Sequence, residues 1–115
     1  MNLNDVIDLL GITVHHINEG QGETKVATVE ASDLMSDILA GVHVPDLLLT
    51  GLTNAQVIRT ASIFGIKVVI IVKGKNIDPK VIDLAKEEKI ALMSTDDDLF
   101  EASGKLYAKG IRRPD

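Results

Sequence analysis

Residues 47–75, LLLTGLTNAQVIRTASIFGIKVVIIVKGK, constrain the fold more than any other stretch of the chain. Two apolar runs, Leu47-Leu48-Leu49 and Val68-Val69-Ile70-Ile71-Val72, flank an amphipathic segment. A strand with one wet face alternates apolar and polar residues. An unbroken aliphatic run instead marks a strand covered on both faces, the habit of parallel sheets. Between the runs, Val57, Ile58, Ala61, Ile63 and Phe64 recur at roughly helical spacing over residues 54–64, and Gly65 supplies the stop. The reading is a right-handed βαβ unit.

The flanking segments extend the same alternation. Asn2 or Asn4 caps a first helix with Leu3, Val6, Ile7 and Leu10 on one face and Gly11 at its end. Residues 12–17 (ITVHHI) form a short strand, and residues 18–23 (NEGQGE) a polar turn. Residues 25–29 alternate as a second, half-exposed strand. Ser32 or Asp33 then caps a helix whose buried stripe is Leu34, Ile38 and Leu39, closed by Gly41. Downstream, Asp78-Pro79 is a helix start with Asp as cap and Pro at the first helical position. Residues 90–93 are a strand, and residues 94–98 lead into a last helix over 99–109. That helix offers Leu99, Phe100, Ala102, Ser103, Leu106 and Tyr107 for packing. The expected order is α-β-β-α-β-α-β-α-β-α in one domain, residues 1–115, with a mostly parallel sheet between helices.

Composition excludes several function classes. There is no cysteine, so disulfides, thiol catalysis and Fe–S ligation are absent, which fits a reducing compartment. Only Phe64, Phe100 and Tyr107 are aromatic and the net charge is −5, so nucleic acid is not an expected partner despite Lys105, Lys109, Arg112 and Arg113 near one end. No apolar run approaches the ~20 residues of a membrane span, and the first residues do not read as a signal peptide. The expectation is a cytoplasmic protein without a membrane partner.

Parallel strands place the loops that follow them at one edge, where open α/β sheets bind ligands. Three such loops stand out: Thr50-Gly51-Leu52-Thr53-Asn54, Lys73-Gly74-Lys75-Asn76 and Ser94-Thr95-Asp96. Hydroxyls, free N–H groups at helix starts and a lysine pair suit an anion or a phosphate. The candidate ligand-binding residues are therefore Thr50, Gly51, Thr53, Asn54, Lys73, Gly74, Ser94 and Thr95. Each also has a plain structural role open to it: Thr53 or Asn54 as helix cap, Gly51 in a tight turn, the lysines in water. Neither GxxxxGK[ST] nor GxGxxG occurs, so this is neither a P-loop nor a dinucleotide fingerprint. A phosphoacceptor receiver would need an Asp at the end of a central strand with acidic neighbours for Mg²⁺; here that strand ends in Leu49-Thr50. His15 and His16 are adjacent and would point to opposite faces of a strand, and His43 stands alone, so no metal set or triad is expected. Asp33 and Asp37 lie four apart, with Asp33 expected as a cap and Asp37 in solvent. No catalytic residue, metal or cofactor is assigned.

Three segments together resemble the DRTGG domain family: residues 29–40 (VEASDLMSDILA), 49–57 (LTGLTNAQV), and 90–95 (IALMST) followed by 100–107 (FEASGKLY). The likeness spans residues 4–111. It implies a three-layer α/β/α domain similar to the N-terminal domain of HPr kinase/phosphorylase. It also implies a regulatory or dimerising module that accompanies CBS domains in regulatory pyrophosphatases and is fused to phosphate acetyltransferases, without catalytic residues of its own. The family's Asp-Arg pair is replaced here by Leu52-Thr53, and Lys73-Gly74-Lys75 stands where Thr-Gly-Gly would follow the later strand. The resulting expectation is a non-catalytic regulatory domain, a homodimer or the partner of an enzyme or regulatory protein. It would take a nucleotide or phosphorylated small molecule at residues 50–54. The alternatives are a pure interaction module without ligand and a small-molecule enzyme.

Overall fold

Strand β3 (Leu47–Thr50), helix α3 (Ala55–Phe64) and strand β4 (Val68–Ile71) form the expected βαβ unit in the computed structural model, which describes residues 1–41 and 43–114. Every residue of β3 and β4 is buried. Alternate side chains of these strands feed two separate apolar layers. Leu47, Leu49, Val68 and Ile70 enter one, while Leu48, Val69 and Ile71 enter the other. That is why the sequence shows runs where a one-faced strand would alternate.

The remaining elements are α1 (Leu3–Leu10), β1 (Thr13–His16), a 3-10 turn (Gln21–Glu23), β2 (Val29–Ala31), α2 (Met35–Leu39), α4 (Pro79–Glu87), β5 (Ala91–Ser94) and α5 (Leu99–Ala108). The sheet order is β1-β5-β4-β3-β2. Strands β2 to β5 are parallel, each beside its predecessor, and β1 closes the edge antiparallel to β5. Successive parallel crossovers of one hand put their helices on one face. Ile38 of α2, Val57, Ile58 and Ala61 of α3, and Val81 and Ala85 of α4 accordingly share one layer. The other face would be bare without the terminal helices: α1 supplies Leu3, Val6 and Leu10, and α5 supplies Ala102 and Leu106. The fold class is the three-layer α/β/α arrangement with a mostly parallel sheet.

Local signals set most boundaries. Asn2 caps α1 in a reciprocal box with Asp5, and Gly11 ends it at φ +58°. Asn54, Asp78 and Asp98 cap α3, α4 and α5 through their side chains. Gly65 closes α3 at φ +83°, in the left-handed region that glycine enters without steric cost.

Several expectations are corrected. The second strand is not residues 25–29 but Val29–Ala31. Lys25 to Thr28 are held instead by both ends of the chain: the Val26 N–H donates to Met1 O, and the Arg112 N–H donates to Ala27 O. Helix α2 begins later than expected, with Leu34 at its cap position and no side-chain cap; only Ile38 is buried, while Leu34 and Leu39 face solvent. The short helix therefore lies on its layer through Ile38, with half-buried Met35 beside it. Ile63 on α3 is 82 % exposed, because at about 100° per residue it falls on the helix face turned away from Val57, Ile58 and Ala61, while Phe64 returns to the layer. On α5, Phe100 (85 % exposed) and Tyr107 (64 %) point away from the core.

One buried polar tie joins the end of α1 to the loop between β5 and α5. The Thr95 hydroxyl, 2 % exposed, donates to the Leu10 carbonyl at 2.7 Å and accepts from the Asp97 N–H at 3.3 Å. Thr95→Val should cost about 1–3 kcal/mol, because it leaves a buried carbonyl without its donor. Leu49→Ala should cost about 2–5 kcal/mol, whereas Ile63→Ala should stay within about 0.5 kcal/mol. Urea unfolding followed by circular dichroism measures all three.

Candidate functional site

The C-terminal ends of β2, β3, β4 and β5 lie side by side, and the loops after them are laced together. The Val72 N–H donates to Thr50 O at 2.9 Å, the Thr95 N–H to Ile71 O at 2.9 Å, the Lys73 N–H to Asp97 O at 2.8 Å and the Gly74 N–H to Thr95 O at 2.9 Å. Lys73 and Gly74 take the turn with φ of +68° and +56°. A Cβ at position 74 would lie 2.6 Å from Asp96 Oδ1, so any larger residue there would bear the left-handed backbone and push the Asp96 side chain aside.

The first loop is built around a carboxylate from the strand before it. Asp33, expected as a helix cap, instead reaches across from the end of β2. Its Oδ1 accepts the Gly51 N–H at 2.6 Å and the Thr50 hydroxyl at 3.1 Å. The Thr50 Oγ in turn accepts from the Leu52 N–H at 3.2 Å. From the neighbouring loop, Lys75 Nζ donates to the Gly51 carbonyl at 2.5 Å. Both side chains crowd the space beside Gly51: a Cβ there would lie 3.2 Å from Lys75 Nζ and 3.3 Å from Asp33 Oδ2. Gly51 is thus the residue on which a carboxylate, a hydroxyl and an ammonium group converge.

The other candidates are distributed unevenly. Asn54 caps α3 by accepting from the Val57 N–H at 3.3 Å, and Thr53 is half-buried in the same turn. Lys73 and Gly74 are exposed on the adjacent loop. Ser94 and Thr95 turn their hydroxyls inward: Thr95 to Leu10, and Ser94 to His15 Nε2 at 2.8 Å. The edge therefore gathers Thr50, Gly51, Thr53, Lys73 and Gly74, while Asn54, Ser94 and Thr95 carry structural hydrogen bonds. Two side chains join them from outside the candidate set, Asp33 and Lys75. Asp33 would have been found by placing β2 at Val29–Ala31, which puts it on the same edge as the other three loops.

The histidines separate as well. A register irregularity between Val14 and His16 breaks the regular alternation of β1. His15 bonds Ser94 on the neighbouring strand, and His16 bonds Asn18 Oδ1 at 2.9 Å. The Ser94–His15 pair lies between β5 and the edge strand β1, with Ser94 8 % exposed and His15 half-buried. Among the described residues no three His, Asp or Glu side chains are grouped to hold a metal ion, and no helix is long and apolar enough to cross a membrane.

Comparison with known proteins places this architecture. In the solved structure of the CBS and DRTGG domains of the regulatory region of Clostridium perfringens pyrophosphatase, complexed with its activator diadenosine tetraphosphate, the matching part superposes with a TM-score of 0.72 at 21 % identity. The match covers 91 % of this chain and 45 % of that one, so this chain spans less than half of the pyrophosphatase region. No curated protein matches the chain. The DRTGG domain model matches residues 5–108, nearly the whole length, and the chain belongs to the DRTGG domain family.

Proposed function

We propose that this chain is a non-catalytic regulatory domain that self-associates and takes a small anionic or nucleotide-like ligand at the C-terminal edge of its sheet. The ligand clause is carried by Asp33. An oxyanion already sits on the Gly51 N–H and the Thr50 hydroxyl, with the Lys75 ammonium group one residue's breadth away. A phosphate oxygen offers the same acceptor chemistry as a carboxylate oxygen, so an incoming phosphate would take the place of Asp33. Asp33 is exposed and precedes a five-residue helix, so it can swing aside without disturbing the core. With the Asp33 carboxylate aside, Lys73 and Lys75 would supply the cationic charge that balances the incoming anion.

The regulatory clause rests on the family, whose member in the pyrophosphatase forms part of a regulatory region that takes a nucleotide activator. Its natural counterparts would be a second copy of the chain, a partner enzyme or another regulatory protein. The non-catalytic clause rests on the inward placement of Ser94 and the separate engagements of His15 and His16.

Isothermal titration with inorganic phosphate and a panel of adenine nucleotides tests the ligand clause. Lys75→Ala should weaken the binding roughly three- to tenfold, up to about 1.4 kcal/mol. Asp33→Ala should tighten it, because the competing carboxylate is gone. Asn54 is left intact, since loss of a cap costs about 1 kcal/mol on its own. If neither the wild type nor Asp33→Ala gives heat with any of these compounds, the edge is a closed structural loop. The chain would then be a pure interaction module.

A further inference from the structure

Two of the chain's three aromatic residues stand on the outer face of α5. Phe100, Ser103, Gly104, Tyr107 and Ala108 line one shallow apolar surface, spaced i, i+3, i+4, i+7 and i+8 along the helix. This is the stripe of a helix that packs on something, yet the same helix already packs on the core through Ala102 and Leu106 on its opposite side. Tyr107 is held in position, with the Arg112 guanidinium 3.8 Å from its ring centroid. A fixed aromatic ring loses little freedom on docking.

Deepening the self-association clause above, and resting on it, we infer that this α5 face is the contact between two copies, with the two helices antiparallel about a two-fold axis near Gly104. The charge pattern selects that occupant. Asp96, Asp97, Asp98 and Glu101 cluster at the start of α5, and Lys105, Lys109, Arg112 and Arg113 at its end. Antiparallel pairing lays the acidic end of one copy along the basic end of the other, while parallel pairing sets like charges together. On one flank Glu101 then meets the second copy's Lys105, which in the single chain holds Asp97 at 2.7 Å and would turn from it on pairing. Gly104 at the crossing lets the backbones approach, so that Phe100 reaches the ring of the second copy's Tyr107. A surface self-complementary in shape and charge is what a two-fold contact requires. Four aromatic side chains at roughly 150–250 Å² each bury on the order of 600–1,000 Å² in all, the small class of interface, so the pair exchanges readily.

Sedimentation of the full chain between about 1 µM and 1 mM tests this, with circular dichroism confirming the fold of each variant. The wild type should pass from the 12.4 kDa species to its dimer as concentration rises. Phe100→Glu should weaken the dimer at least about tenfold, and Tyr107→Ala similarly. Glu101→Lys and Lys105→Glu should each weaken it, and the double variant Glu101→Lys/Lys105→Glu should restore it. Because Glu101 and Lys105 are also i, i+4 neighbours within one α5, mixing is the deciding arm. Glu101→Lys and Lys105→Glu chains should pair with each other more tightly than either pairs with itself, and the absence of that preference overturns the antiparallel assignment. A dimer indifferent to Phe100→Glu overturns the α5 assignment and leaves self-association standing on another surface. A monomer at every concentration overturns both.

Discussion

The constraint on which the rest of the molecule depends is that β3, β4 and β5 carry no polar face. Each must be covered on both sides, since about 25 cal/mol is forfeited for every Å² of apolar surface left in water. Because β2 to β5 follow one another across the sheet, the three connecting helices fall on one side. The second layer can only come from outside the βαβ series. The chain meets this by turning α1 back at one end and α5 at the other, and the Thr95–Leu10 hydrogen bond joins them at the strand end. Even β1 follows from this arrangement, as it leads from α1 to the free edge of β5 and pairs there antiparallel.

The same topology makes the candidate site. Four parallel strands end at one edge, and each contributes a loop whose backbone groups cannot be satisfied by the ladder alone. Three loops satisfy one another through backbone hydrogen bonds. At Gly51 the ladder runs out of acceptors, and Asp33 from β2 fills the gap. A side chain used this way is exchangeable in a manner that backbone pairing is not, because its removal leaves the strands intact. Under the proposed function, the structural and binding readings of residues 50–54 become one arrangement in two states, with Asp33 or an external anion on the same donor.

Sequence patterning made the layered fold legible because its signals are local: runs for doubly covered strands, Asn54, Asp78 and Asp98 as caps, Gly11 and Gly65 as stops. Where patterning failed, a distant contact had overruled it. The alternation of residues 25–29 suggested a sheet strand, but that segment pairs with Asn2 and Arg112, from opposite ends of the chain. Shifting the strand to residue 29 moves Asp33 from a helix cap to the sheet edge, so one misplaced boundary hid the central side chain of the site. Ser94 and Thr95 were legible as hydroxyls at an edge, but not as hydroxyls turned inward toward His15 and Leu10, each some eighty residues distant in sequence.

Helix α5 illustrates a different limit of periodicity. Its apolar residues fill both sides of the helix, which reads in sequence as a broad stripe packing on one core. The structure divides them: Ala102 and Leu106 enter the layer, while Phe100 and Tyr107 remain outside. The division is physically informative because of residue size. The inner positions are one small and one medium side chain, matched to a helix lying close on the sheet, and the large rings are those left outward. A domain this poor in aromatics would gain most by burying them. Leaving two of three in water while aliphatic residues fill the core is therefore a cost to the isolated chain, and an apolar partner on α5 would recover it. The opposed charges at the two ends of that helix are the reason the inferred partner is a second, antiparallel copy, which would satisfy both terms at once.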